Sequence, residues 1–136
     1  MKIQFTYFGE PTPKARARTC RLKNGRVVSF TPKGTRDFEA DLKHQAIQYA
    51  INYFERGTPL KVSFFIYRNR PASIPKKVLF PVTKPDLTNY EKSIEDAVEK
   101  IVYENDSQIC DKFARKRYGE PSRIEVIIEN LTDEEV

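Results

Sequence analysis

Along Ile3 to Phe8, apolar and polar residues alternate with the period of a strand that buries one face, and Gly9, Pro11 and Pro13 then break the alternation. Cys20–Leu22 and Arg26–Phe30 flank Lys23-Asn24-Gly25, whose Asn and Gly accept the positive φ of a tight turn, so a short hairpin is expected there. From Thr35 to about Phe54 the period changes. Phe38, Leu42, Ala46, Ile47, Ala50, Ile51 and Phe54 recur at helical spacing, and Gly57 marks the end. Leu60–Tyr67 reads as a central strand, whereas Arg68–Pro85, with four prolines, cannot be regular through its length and is expected to be an extended or mobile loop.

A second helix is expected from Asn89 to Ile101, because Tyr90, Ile94, Ala97, Val98 and Ile101 form one apolar stripe and Thr88-x-x-Glu91 reads as a capping box. Its opposite face carries Asn89, Lys92 and Asp96. Ile109–Tyr118 and Arg123–Glu129 read as strands that pair across Gly119–Ser122. The order predicts an α+β fold, two helices packed on one mixed, largely antiparallel sheet. One domain over residues 1–131 is expected, followed by an acidic, frayed tail at 132–136.

With 32% charged and 39% hydrophobic residues, the chain has the composition of a globular protein rather than a disordered one. Its net charge of +5 is unevenly spread: Pro11–Arg36 contains no acid but holds Lys14, Arg16, Arg18, Arg21, Lys23, Arg26, Lys33 and Arg36. Such a run implies a polyanionic partner, with Lys14 to Arg26 as its leading phosphate contacts. Further bases stand at Arg68, Arg70, Lys76 and Lys77 and at Lys112, Arg115, Lys116 and Arg117. No apolar run approaches the ~20 residues of a membrane span, and a cytoplasmic protein is expected. Cys20 and Cys110 form no metal-binding pair and are expected to be reduced thiols, buried or incidental. A single histidine, His44, disfavours an imidazole zinc site, so any metal is to be held by oxygen.

Oxygen ligands are offered by Asp86, just ahead of the second helix, and Asp106, just beyond it, with Lys92 able to face a phosphate. Aspartates before helices and in turns are also ordinary capping and turn residues. The combination is more specific. Lys84-Pro85-Asp86-Leu87-Thr88-Asn89 through Lys92, then Asp96-Ala97 and Asn105-Asp106-Ser107-Gln108, resembles the signature of the RusA family of Holliday junction resolvases, and Pro11-x-Pro13-Lys14-x-Arg16-x-Arg18 is similar to that family's N-terminal basic motif. The resemblance implies a magnesium-dependent homodimer, with manganese as a substitute ion, that nicks two symmetric strands of four-way junction DNA. It makes Asp86 and Asp106 metal-binding carboxylates, Lys92 the catalytic lysine, and Asn89 and Gln108 site-shaping residues.

Thr88 stands where the family pattern has a second aspartate. A hydroxyl there adds no negative charge, so Thr88 is either a minor metal-site group or a capping residue. Asp96 and Glu104 are the candidate compensating acids, although Asp96 is equally an i,i+4 ion-pair partner for Lys92. The competing reading is a junction-binding protein whose weakened acidic site no longer cuts. Phe64 and Phe65 are expected in the core, while Phe80, Tyr67 and Tyr103 are alternatives between core packing and a wedge against bases.

Overall fold

Ile3, Phe5 and Tyr7 of the first strand, β1 (Lys2–Phe8), all point to one side and are buried there, as their alternation predicts. The computed structural model describes residues 1–132, except the side chains of residues 50–52; past Thr132, the expected acidic tail lies outside the described residues. After β1 come β2 (Arg18–Arg21) and β3 (Val27–Phe30), α1 (Lys33–Ala46), β4 (Leu60–Arg68), α2 (Leu87–Val98), β5 (Ile109–Tyr118) and β6 (Arg123–Asn130).

Four strands form one sheet in the order β1-β6-β4-β5, parallel only between β4 and β5. Both helices cover the face that carries Leu60, Val62, Phe64 and Ile66 of β4 and Ile124, Val126 and Ile128 of β6. Phe38, Leu42 and Ala46 of α1 and Tyr90, Ile94, Ala97 and Val98 of α2 complete that core. Each fully buried large side chain stabilises the fold by roughly 1.5–3 kcal/mol. Phe65 belongs instead to the other sheet face, where its ring packs on Phe113 with centroids 5.6 Å apart.

The expected hairpin between β5 and β6 does not form, because β4 lies between them. Gly119–Ser122 reverses the chain but carries it across the end of β4, so that β6 pairs with β4 and not with β5. Gly119 passes so close to Tyr67 that an added Cβ would stand 2.6 Å from its ring. The Gly-Glu-Pro-Ser composition signals the reversal, but only the pairing of β4 with both β5 and β6 places that strand in the middle.

The hairpin β2–β3 does form, as a separate two-stranded ribbon whose residues are nearly all exposed. Gly25 turns it with φ 86°, and the Asn24 side chain accepts a bond from the Arg26 N–H at 3.0 Å. Helix α1 stops at Ala46, earlier than its apolar period predicts, and Ile47–Asn52 tighten into a 3-10 helix, where Tyr49 stacks on Phe5. Helix α2 starts at Leu87 because that residue packs against the core and extends the apolar stripe backwards. Thr88 therefore lies inside the helix, and the expected Thr88–Glu91 capping box is absent: Asp86 occupies the cap position, without a side-chain capping bond.

Candidate metal centre and nucleic-acid surface

Helix α2 was expected to run to Ile101, but Glu99 leaves the helical region and Lys100 takes φ 70°, so the chain folds back on itself. The Lys100 N–H donates to the Tyr103 carbonyl at 2.7 Å, and the Ile101 and Val102 N–H groups both donate to the Val98 carbonyl at 3.0 Å. This turn drives the Tyr103 ring into the core and carries Asp106 back to the last turn of α2.

There the carboxylates of Asp96, Glu99 and Asp106, all half-buried, come together with one oxygen of each within 4.8 Å of the others. Asp96 lies in the last turn of α2 and Glu99 caps its end three residues on, and Asp106 meets them across the turn. The Tyr103 hydroxyl donates to Asp106 at 2.7 Å, which fixes the carboxylate's direction. Burial, then Asp106 itself, raises the Tyr103 phenol's pKa far above its ordinary value, so the group stays a donor. Glu99 is pushed above the usual carboxyl range, first by sharing a hydrogen with Asp106 and then by burial. Crowded carboxylates of this kind are the donor set of a hard divalent cation, whose charge relieves their repulsion. Magnesium or manganese therefore fits the residues present.

Lys92 pairs with Asp96 at 3.0 Å, the i,i+4 contact that the sequence allows. Its ammonium is held protonated, first by that hydrogen bond, and Asp106 adds to the effect. Lys14 reaches the other oxygen of Asp96 at 3.0 Å and Glu39 of α1 at 2.7 Å. Expected as a DNA contact, Lys14 is thus already engaged. The segment around it is pinned to both helices: the Ser93 hydroxyl donates to the Thr12 carbonyl at 2.7 Å, the Lys14 N–H to the Asn89 carbonyl at 2.9 Å, and the Ala15 N–H to the Thr35 hydroxyl at 3.3 Å.

Asp86 does not join this group within one chain. It stands ten residues before Asp96, roughly 15 Å along the axis at about 1.5 Å per residue. Two acids that bracket a helix converge only if the helix is short, and this one is not. The acid that the sequence reading missed is Glu99, whose signal was its position seven residues after Lys92 on the same face. Thr88 and Asn89 lie exposed on that same face, toward the Asp86 end. Glu104 lies outside the cluster, bound by Tyr53 at 2.5 Å and Lys100 at 3.0 Å.

Gln108 is buried beneath the site. Its carbonyl oxygen accepts from the N–H groups of Glu104 and Asn105, both at 3.0 Å, and its amide donates to the carbonyls of Glu55 and Thr58 at 2.9 and 3.1 Å. It therefore fixes the short 3-10 turn, Asp106–Gln108, that presents Asp106.

Arg16, Arg18, Arg21, Lys23 and Arg26 are exposed, and none has a carboxylate within 4.0 Å among the described residues. The basic set on β5 differs. Lys112 is paired with Glu91 and Glu95 at 3.1 and 3.0 Å, and Lys116 donates to the Thr83 and Pro85 carbonyls at 2.9 and 3.0 Å, tying down the approach to Asp86. Both cysteines are free and exposed, so the option of a buried thiol is not realised. Tyr103 is core, whereas Phe80 is 51% exposed in the proline-rich loop. No helix of the described residues is long and apolar enough to cross a membrane.

A family described as endodeoxyribonuclease RusA matches residues 9–129. The chain is 32% identical over 140 residues to the uncharacterized protein YqaN of Bacillus subtilis (strain 168), covering 96% of this chain and 97% of that protein. It is 29% identical over 132 residues to the crossover junction endodeoxyribonuclease rusA of Lactococcus phage r1t, covering 94% and 98%. The match takes in the acid cluster, the lysine beside it and the basic ribbon, and by its extent the chain belongs to the RusA endodeoxyribonuclease family.

Proposed function

We propose that this protein is a magnesium-dependent endodeoxyribonuclease that resolves Holliday junctions by paired symmetric nicks. The observation that carries the reading is the meeting of Asp96, Glu99 and Asp106 beside Lys92 in a member of a nuclease family. Asp106, Glu99 and Asp96 would hold the ion, with manganese as a substitute. When bound, a magnesium ion polarises a phosphodiester oxygen and acidifies the attacking water. Lys92, 56% exposed and protonated, faces outward to offset charge on the phosphate in the transition state. Tyr103 and Gln108 hold Asp106 in place and keep their own protons.

The strand to be cut runs along the polar face of α2, where Asn89 and Thr88 contact its backbone and Asp86 meets it at the far end. The β2–β3 ribbon, with Arg18, Arg21, Lys23 and Arg26, enters a groove of the DNA, which admits a two-stranded ribbon, and Arg16 binds a phosphate at its root. A single nuclease domain spans residues 1–131. It acts in the cytoplasm as a homodimer, because two equivalent sites match the twofold symmetry of the junction. The Phe65–Phe113 pair and the 63% exposed Phe8 on the outer sheet face support such a contact.

The test is cleavage of a synthetic four-way junction in magnesium by wild type, Asp106→Asn, Asp96→Asn and Asp86→Asn. Wild type should nick. Asp106→Asn should lose cleavage by at least about a hundredfold while still binding the junction, because one metal ligand is gone but the basic surface remains. Binding without nicking by wild type would make the chain the weakened junction-binding protein instead. Because Asp86 makes no capping bond, loss of cleavage in Asp86→Asn without loss of stability would place it in the reaction. Unchanged cleavage would confine the site to the C-terminal end of α2.

A further inference from the structure

Arg36, Ala40 and Lys43 recur at i, i+4 and i+7, so they share one exposed face of α1 that looks across to α2. Between the helices they line, with Glu39, Asp96 and Ala97, a cavity of about 230 Å³. The two alanines leave its middle open. Its two acids are already neutralised, since Lys14 bridges Glu39 and Asp96 at 2.7 and 3.0 Å and Lys92 holds the second oxygen of Asp96. Arg36 and Lys43 have no carboxylate within 4.0 Å among the described residues, so the groove keeps an excess of positive charge. Asp96 belongs both to this groove and to the acid cluster, which makes the two continuous.

We propose that the groove between α1 and α2 is a phosphate-binding channel that takes the sugar-phosphate backbone of the DNA strand flanking the metal centre, with Arg36 and Lys43 as its phosphate ligands. The proposal rests on the nuclease reading above and adds a strand path to it. A polyanion is the occupant that the charge selects, and the small Ala40 and Ala97 give the backbone room to lie between the helices. Arg36 offers a forked guanidinium and Lys43 a compact ammonium, two different donors set about two helical turns apart on one face. Both residues were legible in the sequence only as part of a basic run and as a helix surface. Their shared orientation toward Asp96 comes from the packing of α1 on α2.

The double variant Arg36→Ala/Lys43→Ala tests this through junction binding over a sodium chloride series without divalent ions, alongside manganese affinity by calorimetry. Binding at low salt should weaken by about tenfold or more, and the slope of log affinity against log salt should fall by about two, as expected for two lost phosphate contacts. Manganese affinity should stay within about twofold, because no ligand has been touched. Ala40→Trp, which fills the groove at an exposed position without changing charge, should also weaken binding, whereas Arg36→Lys should restore part of the double variant's loss when Lys43 is present. An unchanged affinity and slope in the double variant, with wild type binding the junction, would overturn the channel and leave the nuclease reading intact. Wild type that binds no branched DNA would overturn both.

Discussion

Glu99 shows at the scale of one residue how a cluster of acids can work against the fold that holds it. Its pKa is raised, first by Asp106, so the folded chain holds that proton more tightly than the unfolded chain does. Stability from this group is therefore present at acid pH and is lost as the pH rises from the ordinary carboxyl range through the raised value. Glu99→Gln removes one of the crowded charges, and should leave the metal-free protein as stable as wild type or up to about 1 kcal/mol more stable at neutral pH. On the proposed metal site, manganese should raise the melting temperature of wild type, and Glu99→Gln should shrink that rise. Thermal melts with and without the ion check both signs, and a destabilised variant with an unchanged manganese response would remove Glu99 from the site. Gln108 sets the opposite balance. Truncation by Gln108→Ala leaves four part-buried backbone groups without their partner, and a loss of about 1–3 kcal/mol in urea unfolding is expected.

At the scale of elements, the turn after α2 decides whether the acids meet. Lys100 sits in the left-handed region without being glycine, a conformation that costs roughly 1–2 kcal/mol for an L-residue. Lys100→Gly removes that strain, gives back part of the gain in chain entropy and loses only an exposed pair with Glu104. It should stabilise the protein by about 0.5–1 kcal/mol and leave cleavage unchanged. A fall in melting temperature would show that the pair with Glu104 matters more than the backbone. The same turn explains why the end of α2 was illegible: neither glycine nor proline marks it, and Ile101 continues the apolar stripe. Its start was misread for a related reason, since Thr88-x-x-Glu91 has the composition of a capping box while Leu87 has the better packing.

Across the whole molecule, charge is divided between bases committed to the fold and bases left for a partner. Lys14, Lys112 and Lys116 are engaged with carboxylates or carbonyls, while Arg16 and those of the β2–β3 ribbon are free of such partners among the described residues. Arg16→Ala/Arg18→Ala should thus weaken junction binding and lower the salt slope by about two, measured by fluorescence anisotropy. Lys14→Ala should leave that slope unchanged, so a slope lowered by about one would return Lys14 to the DNA surface.

The sequence by itself determined the two helices, the six strands and the α+β class, because apolar period is local and a strand or helix buries whatever its period presents. It likewise determined the basic run and the presence of the acids, which are matters of composition. Tertiary structure alone decided that β4 separates β5 from β6, that Lys14 is consumed by Glu39 and Asp96, and that Asp106 meets Asp96 and Glu99 rather than Asp86. Each of these depends on where one element lies against another, which is set by the fit of buried side chains and by one backbone turn that no local pattern announces.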